Sequence, residues 1–359
     1  MPEIYVSPYS NPQVSRSKQI LSISLLLLLA VAVRFHHLDH ESLWMDEILQ
    51  SSYYPHAFAR IVTDAASQRQ PPLDYWIGHL VYFISDSDFA VRTPAALFGV
   101  GAVVLLTIII AKMCTWWVGI GTGFVAAILP FNIYYSQEAR PYSIASFFFL
   151  GVLWSLDKLI NSTDRLILRG ALFLFFTAGF LYSRALAPLV ITVAMFLSLL
   201  VWLTSEILKH GFTFAGNQRK IISAGLLSVL AIALYFPCFK NILAQGSRDL
   251  SHTSNGLGLD ILKAGFERFS LMPLWKAYVV QTEPLTHVIV VLLFIFALMA
   301  WPSGLWRNNP MLKICTALFV GGSILNIFIF RAKSPLPFRP PYAIYLLPLI
   351  LILSSAGFE

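Results

Sequence analysis

The sequence predicts an all-α, polytopic membrane protein of about ten transmembrane helices, with juxtamembrane helices in its first outer loop. Three observations carry this expectation. Of 359 residues, 57% are hydrophobic and 12% charged, and the mean hydropathy is +0.70, well outside the range of a soluble domain. Apolar runs suited to about 30 Å of hydrocarbon recur along the whole chain, separated by polar breaks. The Lys and Arg residues behind the net charge of +7 lie in those breaks, with no basic face and no nucleic-acid motif, so nucleic acid is not an expected partner. Three cysteines, Cys114, Cys238 and Cys315, are an odd number at unrelated spacings and support neither a disulfide framework nor a metal site.

Residues 1–17, with Pro2, Pro8 and Pro12 among Ser and Asn, read as a disordered cytoplasmic tail. The membrane module is expected over 18–359. Its first span runs from Lys18 to Phe35. Ala30-Val31-Ala32 mimics a signal-peptide cleavage site, but the apolar run enters it without a polar break, so the span is read as uncleaved. A first outer loop, 36–89, follows. Within it Pro71 to Ile84 is apolar over only about 13 residues and carries Asp74 and His79; it is too short to span and reads as a helix lying in the interface. Further spans are expected at Ala90–Ala111, Trp117–Ser136, Pro141–Leu156, Leu166–Tyr182, Leu186–Leu203 and Ile221–Phe239. A second long outer loop covers 241–282. Spans at Leu285–Trp301, Leu312–Phe330 and Pro341–Ala356 complete the module.

This topology puts Asp46, Glu138 and Arg339 on one side of the membrane. With Arg16 and Lys18 inside, it leaves Lys112, Lys158, Arg165, Arg169, Lys209, Arg219, Lys220, Arg307 and Lys313 in the cytoplasm, as the positive-inside tendency expects. The outer side also holds many cations, among them Arg34, Arg60, Arg69, Arg92, Arg140, Arg184, Arg331, Lys333 and Arg339. Such an excess calls for an anionic partner at the surface, such as a lipid phosphate.

Three clusters on that side carry candidate chemistry. Glu41-Ser42-Leu43-Trp44-Met45-Asp46-Glu47 sets two carboxylates beside Trp44, and this pair is the leading source of a general base. Neighbours on a helix point about 100° apart, so one acid faces a substrate while the other packs or caps. The competing reading is a solvated juxtamembrane acid pair. The second cluster is Tyr134-Tyr135-Ser136-Gln137-Glu138-Ala139-Arg140-Pro141-Tyr142-Ser143, where Pro141 suits a first helical turn and Glu138 and Arg140 lie within reach of each other; an aromatic belt with an ion pair is the alternative. The third is the stretch from Arg331 to Tyr342, in which Arg339, held between prolines, suits bidentate bonds to a phosphate, while Lys333 reads as a snorkelling anchor. Arg92 and Arg184 are candidates to complement Arg339. His36, His37, His79, His252 and His287 show no metal-ligand spacing, so a divalent cation stays open and unassigned. The chain has no phosphate-binding Gly-rich loop, and its cytoplasmic loops are too short for a nucleotide domain, so the activated substrate is expected to arrive within the membrane.

Taken together, these residues resemble the GT-C superfamily of membrane glycosyltransferases, in particular the group related to protein O-mannosyltransferases and aminoarabinose transferases. The resemblance rests on Trp44-Met45-Asp46-Glu47, on Gln70-Pro71-Pro72-Leu73-Asp74-Tyr75-Trp76, on Phe89-Ala90-Val91-Arg92-Thr93-Pro94-Ala95-Ala96-Leu97-Phe98-Gly99, and on Tyr134 to Ser143, four motifs in family order. More loosely, Arg339 with Tyr342-Ala343-Ile344-Tyr345-Leu346-Leu347-Pro348-Leu349 is similar to the family's Arg-Tyr-Leu-Leu-Pro ending, with two prolines intervening before Tyr342. The resemblance implies a GT-C fold, a catalytic base at the first-loop acid, a juxtamembrane helix at the Pro-Pro segment, and Glu138 lining the same cavity. Asp46 is the expected base, with Glu47 the alternative, and Glu138 is expected to orient the acceptor or hold a divalent cation. The candidate substrate-binding residues on this side are Arg140, Tyr142, Arg92, Arg184, Arg339 and Tyr342. The expected activity is inverting transfer of a sugar from a polyprenyl-phosphate donor to a hydroxyl of a glycan, lipid or protein, on the extracytoplasmic face of the plasma membrane. A lipid flippase or transporter is the alternative, and it would require polar or broken helices near mid-bilayer.

Overall fold

The structure, a computed structural model, describes residues 14–161, 164–185, 187–212, 216–246, 309, 311–319 and 346–358. Every regular element among them is helical: α1 Arg16–Phe35, α2 Met45–Ser51, α3 Phe58–Ser67, α4 Leu73–Tyr82, α5 Asp88–Met113, α6 Trp116–Ile128, α7 Pro130–Ser136, α8 Tyr142–Ile160, α9 Leu166–Ser183, α10 Ala187–His210, α11 Gly216–Gly246 and α12 Leu346–Phe358. A helical stretch at 311–319 precedes α12. Helical backbone satisfies its own polar groups, which is the condition for crossing hydrocarbon. Among the described residues α1, α5, α8, α9, α10 and α11 are long and apolar enough to cross a membrane, and α6 with α7 forms a bent seventh. The expected span at Leu285–Trp301 lies outside the described residues, as do parts of those at Leu312–Phe330 and Pro341–Ala356. Exposed Leu21, Leu25 and Leu28 on α1 and Leu226, Leu230 and Leu234 on α11 present the apolar outer stripes that lipid requires.

The Pro-Pro segment forms α4, a helix of 10 residues, about 15 Å long and half of what a span needs. With α2 and α3 it makes a small layer at one end of the bundle, cored by Tyr54, Ile61, Ala65, Tyr75, Val91 and Ala139. At the other end Lys112 of α5 pairs with Asp157 of α8. The larger core lies between, where α8 packs on α5 and α9 through Phe148, Phe149, Leu153, Phe173 and Phe180.

One expected span is broken. The run Trp117–Ser136 bends by 61° between α6 and α7, because Pro130 occupies the first position of α7 and holds Leu129 in extended backbone, φ −64° and ψ 119°. The break orphans carbonyls at the end of α6, which side chains then satisfy. Arg34 at the end of α1 donates from Nη1 to the Ala127 carbonyl (3.1 Å) and from Nη2 to that of Ala126 (3.4 Å), and Asn132 Nδ2 reaches the Ala126 carbonyl at 3.0 Å. In return Gln137, just past α7, donates to the terminal carbonyls of α1 at Arg34 (3.1 Å) and His36 (3.0 Å). Each helix end is thus capped by the other chain segment, which ties the end of α1 to Gln137. α5 also runs close to α7: a Cβ added to Gly99 would lie 2.3 Å from Ser136 Oγ.

Candidate active site

The first-loop acids sit in the opening turn of α2, where carboxylates suit the positive end of the helix. They have opposite fates. Glu47 is fully buried and Asp46 is 47% exposed. Glu47 Oε2 accepts the Trp44 N–H at 3.2 Å and so caps its own helix. Arg92 grips both carboxylate oxygens, Nε to Oε1 at 3.0 Å and Nη2 to Oε2 at 2.7 Å, and the Ala139 N–H donates to Oε1 at 2.6 Å. Both oxygens of Glu47 therefore carry two donors each, and no lone pair faces a substrate.

Arg92 is occupied in the same way. Its remaining N–H groups donate to the carbonyls of Leu38 (3.0 Å), Glu41 (2.6 Å) and Ser42 (3.2 Å), so all five guanidinium donors are used. The expectation that Arg92 helps hold a phosphate meets a physical obstacle here: the side chain is buried and has no donor left. Glu47 and Arg92 instead clamp the loop 38–42, α2 and Ala139 together.

Asp46 opens toward Arg140, whose Nη2 lies 3.8 Å from Oδ2. The Arg140 guanidinium also donates from Nη1 to the side-chain oxygen of Gln50 at 3.0 Å and hydrogen-bonds Tyr142, while its buried Nε has no partner among the described residues. The Arg184 guanidinium stacks 4.8 Å over the Tyr142 ring. Two guanidiniums thus converge on Tyr142 beside an open carboxylate, an arrangement suited to an anion. Glu138 is buried and takes a hydrogen bond from Tyr134. The turn that places these groups is tight: the Arg140 N–H donates to the Glu138 carbonyl at 2.7 Å, and the Tyr142 N–H to that of Arg140 at 2.9 Å.

Behind Arg140 lies a carboxylate that sequence reasoning did not assign to the site. Gln50 Nε2 donates to Asp74 and, at 3.0 Å, to the Tyr54 hydroxyl. Burial pushes the Asp74 carboxyl up from 3.8 to about 6, against the opposing pull of Arg140, the Gln50 hydrogen bond and Arg184. The signal is an acid inside the short apolar segment 71–84. Among the described residues no group of three or more His, Cys, Asp or Glu side chains gathers to hold a metal ion. Arg339 and Tyr342 lie outside the described residues.

Of the expected site residues, Asp46, Glu47, Glu138, Arg140, Tyr142, Arg92 and Arg184 thus gather at one end of the bundle, opposite Lys112. The helical arrangement is shared with solved structures of an oligosaccharyltransferase and of ArnT. The oligosaccharyltransferase AglB from Archaeoglobus fulgidus, solved in complex with an inhibitory peptide and a dolichol-phosphate, is similar over 95% of this chain and 50% of its own, with a TM-score of 0.59 and 13% identity. ArnT from Cupriavidus metallidurans, bound to undecaprenyl phosphate, is similar over 96% of this chain and 60% of its own, at TM-score 0.59 and 14% identity. An Archaeoglobus fulgidus oligosaccharyltransferase in complex with Zn and sulfate matches at TM-score 0.53 and 13% identity, over 94% of this chain and 48% of its own. The chain therefore spans about half to three fifths of the length of these proteins. No family model matches the sequence, and no curated protein matches it.

Proposed function

We propose that this protein is a glycosyltransferase that moves a sugar from a polyprenyl-phosphate donor to an acceptor hydroxyl, at the extracytoplasmic face of the plasma membrane. One observation carries the reading: a half-exposed carboxylate, Asp46, stands beside the cationic pair Arg140 and Arg184 at the loop end of a GT-C fold. Two structures that share the fold hold lipid phosphates of this class, dolichol-phosphate and undecaprenyl phosphate, which supports the donor class.

In this reading the chemistry is a single inverting displacement. Asp46 takes the proton from the acceptor hydroxyl as that oxygen attacks the anomeric carbon, and the bond from that carbon to the phosphate oxygen breaks on the opposite face. Arg140 and Arg184 offset the charge that grows on the departing phosphate, so no general acid is required. Arg339, at the head of the last expected span, adds a further phosphate contact, and Tyr342 lines the same site. Glu47 and Arg92 hold the loop that carries Asp46, and Glu138 orients the acceptor.

The test is sugar transfer by the purified full chain from synthetic polyprenyl-phosphate sugars, scored beside lipid translocation in vesicles. Transfer without translocation is expected. Translocation without transfer would favour the flippase reading and overturn this one.

A further inference from the structure

The end of the bundle that carries Lys112, opposite Asp46, holds a cluster of cations for which glycosyl transfer has no use. α9 and α11 run parallel and side by side: a Cβ on Gly170 would lie 3.3 Å from Leu227, and further along the Tyr182 hydroxyl donates to the Leu234 carbonyl at 3.0 Å. Both helices therefore start from this same end. Residues 164–169 and 216–220 contribute Arg165, Arg169, Arg219 and Lys220 and one carboxylate, Asp164. The cations are not spread apart. Lys220 Nζ donates to the Ile160 carbonyl at the end of α8 at 2.9 Å, and it stands within electrostatic reach of Arg169. Arg169 Nη2 is held by Asp164 at 2.7 Å, while Nη1 has no partner among the described residues. Of the nearby acids, Asp157 pairs with Lys112, and Glu206 lies on α10, three residues before Lys209. Like charges held together in a partly desolvated place repel, and the positive ends of two helices add to them. The cluster calls for an anion.

The surroundings select a lipid. Ile167 and Leu168, between the two arginines of α9, are exposed, as are Phe175 on the same helix and Leu226, Val229 and Leu230 on α11. So broad an apolar face is stable against hydrocarbon and not against water. The cations therefore stand at the edge of a lipid-facing surface, at the depth of headgroup phosphates. We propose that the starts of α9 and α11 form a binding site for an anionic phospholipid of the adjacent leaflet, the cytoplasmic one in the topology expected from the sequence. Its phosphate meets Arg165, Arg169, Arg219 and Lys220, and its acyl chains lie along Ile167, Leu168 and Leu226. A lipid held here ties α9 to α11 at the end remote from Asp46.

The full chain in detergent is titrated with phosphatidylglycerol, or with phosphatidylcholine of the same acyl chains, and bound lipid is counted by native mass spectrometry. Wild type is compared with three double variants. Arg169→Gln with Lys220→Gln empties the inner part of the cluster. Arg165→Gln with Arg219→Gln empties the outer part, where both side chains are exposed, and so spares the fold. Arg16→Gln with Lys18→Gln removes the same charge from the same end on α1, a helix that packs on α5 and α6 instead. Wild type should prefer phosphatidylglycerol, and the first two variants should bind it about 30-fold more weakly, the worth of two cations at a membrane surface. The α1 variant should stay within about threefold of wild type, because exposed charges more than a Debye length apart are screened. Melting temperature shows whether loss of the Lys220 cap unfolds the first variant; the second carries the test by itself. Equal affinity of wild type for the two lipids overturns the proposal, as does an equal loss in the α1 variant, which would mark general attraction to a cationic surface. Displacement of the lipid by an equal concentration of glycerol phosphate would make the ligand a soluble phosphate and overturn it too.

Discussion

Glu47 and Asp46 are adjacent in sequence, carry the same functional group and begin the same helix, yet the structure treats them as opposites. Glu47 is fully buried, with two donors on each oxygen, and its partner Arg92 has every N–H engaged. Asp46 is half exposed, and its nearest cation stands at 3.8 Å with an unmet Nε of its own. A saturated ion pair has nothing left to offer a substrate, whereas an unsaturated one can accept a proton and bind an anion. The helical turn of about 100° between the two residues creates this division of labour: one side chain faces α5 and Ala139, the other the open end of the bundle.

Substitution at the saturated pair should have the largest effect. Arg92→Leu leaves the buried Glu47 charge unmatched and three loop carbonyls without donors, and removal of one partner of a buried ion pair costs about 3 to 5 kcal/mol. The expected outcome is loss of folded protein, or a much lowered melting temperature, in detergent. The double variant Arg92→Leu with Glu47→Leu should recover part of the stability and none of the ordering of loop 38–42; a double variant no more stable than the single one would show that the pair itself is not the source.

Smaller effects belong to the open pair. Arg140→Ala should leave stability near wild type and weaken donor binding by about 1.5 to 3 kcal/mol, the range of a charge-assisted hydrogen bond, and Arg339→Ala should do the same if it meets the phosphate. Titration calorimetry with a polyprenyl-phosphate ligand measures both, and an unchanged affinity places the phosphate elsewhere. Smallest is Arg184→Leu, which removes the stack on Tyr142 and should weaken the same binding by about 0.5 to 2 kcal/mol. A loss there larger than that of Arg140→Ala would reverse the order of the two cations.

The helices and their clustered ends were legible in the sequence because length and hydropathy decide membrane spans almost alone. The short Pro-Pro segment was legible for the same reason, and its reading as a non-spanning helix brought Asp46 and Glu138 to one end, where Glu47 and the Ala139 N–H now meet at 2.6 Å. The break after Leu129 was written as a proline inside an apolar run, but run length reads straight through it. The fates of Arg92 and Asp74 were not legible. Arg92 finds Glu47 from 45 positions away and Asp74 finds Gln50 from 24, through the crossing of α2 with α5 and α4, and no local pattern records such a crossing.

In the proposed mechanism Asp46, and not its neighbour, takes the acceptor's proton. Turnover, donor affinity and product configuration of purified Asp46→Asn test it most directly. The amide is nearly isosteric and Asp46 is half exposed, so melting temperature and lipid-phosphate affinity should stay near wild type while turnover falls by about 10² to 10⁴-fold, the usual worth of general-base catalysis. Near-normal turnover by the folded Asp46→Asn protein, or a product that retains the anomeric configuration of the donor, would contradict it.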